Sequence, residues 1–89
     1  MNKVGDILRE NRLLKNLSIE EIANELKISK YILLKIENDE IKFDKDLVFY
    51  IGHIRSYSDY MDLETSQIID TFKKQISYNL IVPDKISKP

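Results

Sequence analysis

Histidine and cysteine, the residues most often used for metal binding and covalent catalysis, are nearly absent from this sequence. His53 is the only histidine and there is no cysteine, so neither a histidine cluster nor a thiolate site can form. The carboxylates are expected to be scattered over the surfaces of predicted helices, where Glu20 and Glu21, for example, fit helix capping. No glycine-rich loop that could cradle a phosphate is present. We therefore predict that the chain is not an enzyme and binds no metal or cofactor.

Aromatic residues, in contrast, recur at helical spacing between residues 49 and 60. With a rotation of about 100° per residue, they fall on two lines of one predicted helix. The inward line, which should face the core, consists of Leu47, Tyr50, Ile54, Tyr57 and Met61. The second line, about 110° around the axis, consists of Phe49, His53, Ser56 and Tyr60. We refer to them as the core line and the outer line.

The outer line is a candidate binding site for another protein. Because the core line already carries five large side chains, Phe49 and His53 are expected to be exposed, whereas Tyr60 can equally pack beneath a neighbouring helix. Exposed aromatic residues one turn apart are typical of protein-binding hot spots. Gly52 costs about 1 kcal/mol relative to alanine within a helix, and it predicts the close approach of a neighbouring helix or a partner. The predicted partner-binding residues are Phe49, His53, Ser56 and Tyr60.

The composition predicts a single soluble α-helical domain. Of 89 residues, 43% are hydrophobic and 33% are charged, which is typical of a globular chain rather than a disordered one. Two glycines and two prolines are too few for the turns of an all-β protein. No run approaches the roughly 20 apolar residues that span a bilayer, and no signal-peptide pattern occurs at the N-terminus. The absence of cysteine suits a cytosolic location.

The spacing of apolar residues predicts five helices, over residues 4–15, 19–26, 30–38, 45–61 and 66–77. The inward face of the first helix is predicted to consist of Val4, Ile7, Leu8 and Leu14. Ser18 and Glu21 match a capping box that begins the second helix, and Ser29 can cap the third. In the loop before the fourth helix, Ile41 and Phe43 are the expected inward anchors.

The C-terminal residues are predicted to lie outside the helical domain. Residues 79–89 contain both prolines and no helical period, which indicates a tail or the start of a linker. The apolar run Leu80-Ile81-Val82 could instead pack back on the domain. The predicted domain therefore covers residues 1–77, and the predicted tail covers residues 78–89.

The second and third predicted helices resemble the helix-turn-helix of the Cro/phage-repressor type. The matching residues are Leu17-Ser18, Ile22-Ala23, Leu26, Ile28-Ser29 and Ile36-Glu37. Two short helices with a tight turn, the small Ala23 at their crossing and Ser29 as the cap of the second are compatible with that geometry. The resemblance implies an all-α, five-helix bundle of the Cro/phage-repressor type.

A third helix of this kind reads DNA only if its outward side chains can hydrogen-bond to base edges. Leu33 and Ile36 are predicted to be core residues. Ile32 and Leu34 occupy positions where polar groups would be needed. The candidate nucleic-acid contacts are Lys30, Tyr31, Leu34 and Lys35. Residues 1–40 contain seven Lys or Arg and eight Asp or Glu residues, so this region lacks a basic footprint, and a DNA-binding transcriptional regulator is the alternative rather than the favoured function.

Three segments resemble the cytoplasmic domain of RodZ, a family of bacterial cell-shape proteins. They are Val4-Gly5-Asp6-Ile7-Leu8-Arg9-Glu10, Ile36-Glu37-Asn38 and Gly52-His53-Ile54-Arg55-Ser56-Tyr57. The resemblance covers about residues 4–76. It implies a single-pass membrane protein whose cytosolic N-terminal domain binds the actin-like filament protein MreB and links it to the cell-wall elongation machinery. The membrane segment would then follow residue 89.

The same resemblance implies that aromatic side chains of the fourth helix meet the filament. The first of them corresponds to Phe49. The second is a tyrosine in the family pattern and corresponds here to His53, which has less area to bury and can make the contact sensitive to pH. Besides filament binding and DNA binding, a third hypothesis is dimerisation through the tail or the fifth helix.

Overall fold

The computed structural model describes residues 3–42 and 45–81 of the chain. All regular secondary structure in these residues is helical. The helices are α1 (Val4–Leu14), α2 (Ile19–Leu26), α3 (Lys30–Glu37), α4 (Leu47–Tyr60) and α5 (Thr65–Ile81). The predicted all-α fold with five helices is confirmed for the described part of the chain.

Helix α5 is longer than the sequence pattern predicts. It continues to Ile81 instead of ending at residue 77, so the prediction that residues 79–81 are not helical is wrong. No glycine or proline interrupts α5 before Pro83, and the backbone can therefore continue its helical turns.

The rest of the predicted tail and the predicted anchor Phe43 lie outside the described residues, and the division into domain and tail stays a prediction. Ile41, the other anchor, is buried as expected.

Side-chain caps begin α2 and α3, as the sequence predicts. The Ser18 hydroxyl accepts a hydrogen bond from the Glu21 amide at 3.0 Å, and the Glu21 carboxylate accepts one from the Ser18 amide at 2.7 Å. At α3, the Ser29 hydroxyl accepts a hydrogen bond from the Ile32 amide at 3.1 Å. Lys27, with a φ of 59°, reverses the chain after α2. The helix-turn-helix is thus shaped by interactions between residues that are close in sequence.

One hydrophobic core joins the five helices. Helix α4 packs on α5, while α3 packs on both α1 and α2. The buried hydrophobic residues are Val4, Leu8, Ile19, Ile22, Ile28, Leu33, Ile36, Ile41, Ile54, Tyr57, Met61, Ile68, Ile69, Phe72 and Ile76. Ile54, Tyr57 and Met61 confirm the inward placement of the core line. Leu47 and Tyr50 of the same line are partly buried against the core, so the core determines which side of α4 faces outward.

The C-terminal end of α1 lies outside the core. Ile7 packs against the core, but Leu14 is 83% exposed, so its predicted place on the inward face is wrong. The helix ends at Leu14, and the chain reverses at Asn16, where φ is 62°. After this turn, Leu17 packs against the core.

Gly5, rather than Gly52, marks a close approach of two helices. A Cβ atom on Gly5 would lie 2.6 Å from the carbonyl oxygen of Ile36 and would also collide with that of Glu37. Gly52 is exposed, and within the described part of the chain no atom of another element lies within 4 Å of such a Cβ. The predicted approach of a neighbouring helix at Gly52 is therefore wrong.

The first amides of α1 are satisfied by residues from distant parts of the chain. Val4 N donates a hydrogen bond to Gln75 Oε1 at 2.7 Å, and Gly5 N donates to Asp39 Oδ1 at 3.1 Å. Gln75 Nε2 donates to the same Asp39 oxygen at 3.3 Å. Lys3 occupies the N-cap position without a side-chain cap. The N-terminus of α1 therefore depends on α5 and on the segment after α3.

The buried carboxylate of Glu37 in α3 connects α3 to both α1 and α4. Glu37 is 2% exposed and accepts hydrogen bonds from Arg12 Nε at 2.8 Å and from Arg12 Nη2 at 3.0 Å. The buried hydroxyl of Tyr57 donates to the same carboxylate. Burial, followed by the hydrogen bond with Glu37, raises the pKa of Tyr57, and the bond with Glu37 raises the pKa of Arg12. Glu37 is thus an exception to the expectation that the carboxylates lie on helix surfaces.

Replacing the two glycines by alanine should change stability in opposite directions. We expect Gly5→Ala to lower the free energy of unfolding by about 2 kcal/mol, because the added methyl group overlaps backbone oxygens. Gly52→Ala should raise it by up to about 1 kcal/mol, because alanine favours the helix and meets no obstruction. Urea denaturation of both variants and the wild type measures the two changes. Equal effects of the two substitutions would contradict the close approach at Gly5.

Removing the Tyr57 hydroxyl should weaken the fold. Tyr57→Phe takes one donor away from the buried carboxylate of Glu37, which should lower the free energy of unfolding by about 1–3 kcal/mol. Urea denaturation near neutral pH measures this loss. Tyr60→Phe, at the partly exposed end of α4, is the control for losing a tyrosine hydroxyl. An equal loss in both variants would contradict a specific role of the buried hydroxyl.

Tyr57→Phe should also change how the free energy of unfolding falls at alkaline pH. The pKa of Tyr57 is raised in the folded chain, so its contribution to stability is complete below the pKa of the unfolded chain, about 10. Above that pH the unfolded tyrosine ionises first, and the wild type should lose up to about 1.4 kcal/mol per pH unit from this residue. Tyr57→Phe should lose stability less steeply in urea denaturation between about pH 9.5 and 11. Parallel curves for the two proteins would contradict this expectation.

Candidate functional site

The outer line of α4 lies on the side that the core leaves free. Phe49 is 68% exposed, Tyr60 is 40% exposed, and Ser56 is exposed as well. His53 is half-buried. The structure therefore brings the four predicted residues together along one helix, away from the fully buried Ile54. Their role in binding a partner stays a prediction.

Val48 extends the exposed apolar surface beyond the outer line. Its side chain is 76% exposed and precedes the exposed Phe49 in the first turn of α4. Sequence reasoning missed Val48 because it belongs to neither line of the helix. A hydrophobic residue far from the core line is the signal that could have identified it. Two adjacent exposed apolar side chains form a candidate contact patch.

Tyr50 shields one side of the His53 ring. The two ring centroids lie 6.3 Å apart and the ring planes meet at 83°, which is an edge-to-face arrangement. Tyr50 is itself partly buried against the core. His53 is therefore less exposed than expected, because its ring packs on a residue of the core line.

A lysine of α3 contacts aromatic rings of both α3 and α4. Lys35 Nζ lies 5.8 Å from the ring centroid of Tyr31 and 5.6 Å from that of Tyr50, and both distances allow cation–π interaction. Tyr31 is 69% exposed, and Leu34 is 37% exposed. The candidate nucleic-acid contacts on α3 and the outer line of α4 therefore form neighbouring surfaces that meet at Tyr50.

Lys30, at the start of α3, forms an ion pair with α2. Its Nζ lies 2.7 Å from Glu20 Oε2, and this hydrogen bond lowers the pKa of the Glu20 carboxyl. Leu33 and Ile36 belong to the core as predicted, whereas Ile32, which is expected on the outward face, is partly buried against the core. Base edges are most often read by Arg, Lys, Asn, Gln, Ser and Thr, and of these side chains the eight residues of α3 include only Lys30 and Lys35.

In the described part of the chain, residues of α1, α3, α4, α5 and the segment after α3 line an apolar groove of about 580 Å³. Core residues such as Ile54 and Phe72 line this groove, and two of its polar residues, Asp39 and Gln75, accept hydrogen bonds from amides of α1.

Among the described residues, no group of three or more His, Asp or Glu side chains could hold a metal ion. None of the helices that the structure describes has both the length and the apolar character to cross a membrane.

The family model of a helix-turn-helix domain matches residues 7–68, from α1 to the first turn of α5. An uncharacterized protein of Haemophilus influenzae is 36% identical to this chain over 63 residues, which are 70% of this chain and 21% of that protein. The chain thus spans about a fifth of the length of this relative. No solved structure matches the chain. Because the family match covers well over half of the sequence and includes both helices of the motif, this chain belongs to the helix-turn-helix domain family.

Proposed function

We propose that this chain is the cytoplasmic domain of a bacterial cell-shape protein of the RodZ type, and that it binds the actin-like filament protein MreB. The observation that carries the proposal is Phe49, which is 68% exposed on a side of α4 that faces away from the core. Burying such a side chain against a partner would stabilise a complex by about 1.5–3 kcal/mol. In this function a segment beyond residue 89 attaches the domain to the inner face of the cell membrane, and the domain links filaments to the cell-wall elongation machinery.

The surface around Phe49 has the composition of a protein contact. Val48 provides adjacent apolar area, and Tyr60 provides a second aromatic ring near the other end of α4. His53 lies one turn from Phe49, and its contact with Tyr50 restricts the orientation of its ring. Side chains that are already held in place lose less conformational entropy on binding, which favours affinity.

The length of the Haemophilus influenzae relative is compatible with this proposal. The matching segment is 21% of that protein, so a domain of this kind is there a small part of a longer chain. A domain that acts from a membrane anchor requires such additional sequence.

Co-sedimentation of the 89-residue chain with polymerised MreB tests the proposal. We expect the wild type to pellet with the filaments and Phe49→Ala to bind about 30-fold more weakly, as for the loss of a hot-spot residue. His53→Ala should weaken binding by a smaller factor, and His53→Tyr should strengthen it by adding aromatic area. Leu14→Ala is the matched control, because it removes an 83% exposed apolar side chain from a different helix.

The outcomes of this experiment separate the site from the function. Unchanged pelleting of both Phe49→Ala and His53→Ala would refute the assignment of the outer line. Absence of pelleting by the wild type would refute MreB binding itself. Circular dichroism of each variant confirms that the helices remain formed, which we expect because neither residue belongs to the buried core.

The competing function is a DNA-binding regulator, which membership of the helix-turn-helix domain family favours. Against it, α3 presents the exposed Tyr31 and Leu34 where base-reading groups are needed, and its Lys30 is paired with Glu20. We therefore expect no binding to duplex DNA even at about 50 mM salt, where phosphate contacts are strong.

Fluorescence anisotropy of labelled duplexes, measured over a range of salt concentrations, checks this expectation. Affinity that falls steeply with rising salt would contradict it and would support DNA binding. In that case Lys30→Ala should lower the slope of log affinity against log salt by about one, because one phosphate contact is lost.

A further inference from the structure

Lys35 of α3 contacts an aromatic ring of α4 next to the outer line. It lies in the last turn of α3 and is half-buried. Its ammonium group lies 5.6 Å from the ring centroid of Tyr50 in α4 and 5.8 Å from that of Tyr31, one turn earlier in α3. A cation between two rings attracts the electron-rich face of each of them, so it holds both rings in position.

The contact continues from Tyr50 to the outer line. The Tyr50 and His53 rings meet edge to face, with centroids 6.3 Å apart and planes at 83°. This geometry depends on the orientation of the Tyr50 ring, because a rotated ring would present a different edge or face to the imidazole. Lys35 contacts the rings of Tyr31 and Tyr50, and the Tyr50 ring contacts His53. These interactions therefore connect α3 to the proposed binding surface.

We propose that Lys35 is a positioning residue for the partner-binding surface of α4. It holds the Tyr50 ring, and the Tyr50 ring in turn sets the orientation of His53. This inference rests on the proposed function only for the identity of the partner, MreB. The contacts that position His53 belong to the free chain and can be tested without any partner.

Three variants test this role in the full 89-residue chain. Lys35→Met keeps a long apolar side chain but removes the cation. Lys35→Arg restores a cation that stacks well on aromatic rings. Lys15→Met, at an exposed lysine beyond the end of α1, makes the same change of charge away from the site.

The first measurement is the NMR spectrum of the ring carbons and protons of Tyr50 and His53 in the free chain. We expect Lys35→Met to shift the resonances of both rings and Lys35→Arg to return them toward their wild-type positions. The Lys15→Met variant should keep the wild-type spectrum. Unshifted His53 resonances in Lys35→Met would overturn the proposal, because the Tyr50 ring would then not transmit the change.

The second measurement is co-sedimentation of the same variants with polymerised MreB. We expect Lys35→Met to bind about two- to fivefold more weakly than the wild type, and Lys35→Arg to recover most of this loss. Weaker binding without any change in the His53 resonances would show that Lys35 contacts the partner directly, and it would also overturn the positioning role. If the wild type does not pellet, the proposed function fails, and the ring resonances alone decide whether Lys35 positions His53.

Discussion

The buried carboxylate of Glu37 fixes how α4 lies against the helix-turn-helix. Its oxygens accept hydrogen bonds from Arg12 of α1 and Tyr57 of α4, and Arg9 donates to the backbone carbonyl of the same residue at 3.2 Å. Leaving a buried charge without its partner costs about 3–5 kcal/mol, so packings that separate these helices are disfavoured. Such a pair adds little net stability compared with hydrophobic burial, but the loss of either partner destabilises the fold. The outer line thereby has a fixed direction relative to α3.

The sequence predicts those parts of the fold that depend on neighbouring residues. Capping by Ser18 and the inward placement of Ile54 follow from spacings within a few turns of one helix. Gly5 and Gly52 give no such signal, because only the packed structure shows that Gly5 lies against the backbone of α3. Glu37 fits a surface position by its sequence, since its partner Arg12 is 25 residues away. Contacts between distant residues thus account for the two features that the sequence did not predict, the close approach at Gly5 and the burial of Glu37.

In the candidate site too, features set by neighbouring residues were predictable and contacts between helices were not. The exposure of Phe49 follows from a core line that is already filled, and the structure places this residue as expected. Helical periodicity cannot report that Tyr50 shields His53 or that Lys35 reaches Tyr50 from another helix. It also cannot report that Leu14 projects past the core where α1 ends. The reach of side chains between helices is therefore the information that a single periodic pattern lacks.

In the proposed function, folding and binding depend on different residues of the same fourteen-residue helix, α4. Tyr57 cannot change without disturbing the core, whereas Phe49 and His53 can change while the chain stays folded. If the outer line binds a partner as proposed, its residues can change one at a time as the surface of that partner changes. Over evolutionary time, this separation allows related species to acquire pairs of proteins that recognise each other and no longer recognise their counterparts elsewhere, without any change of fold.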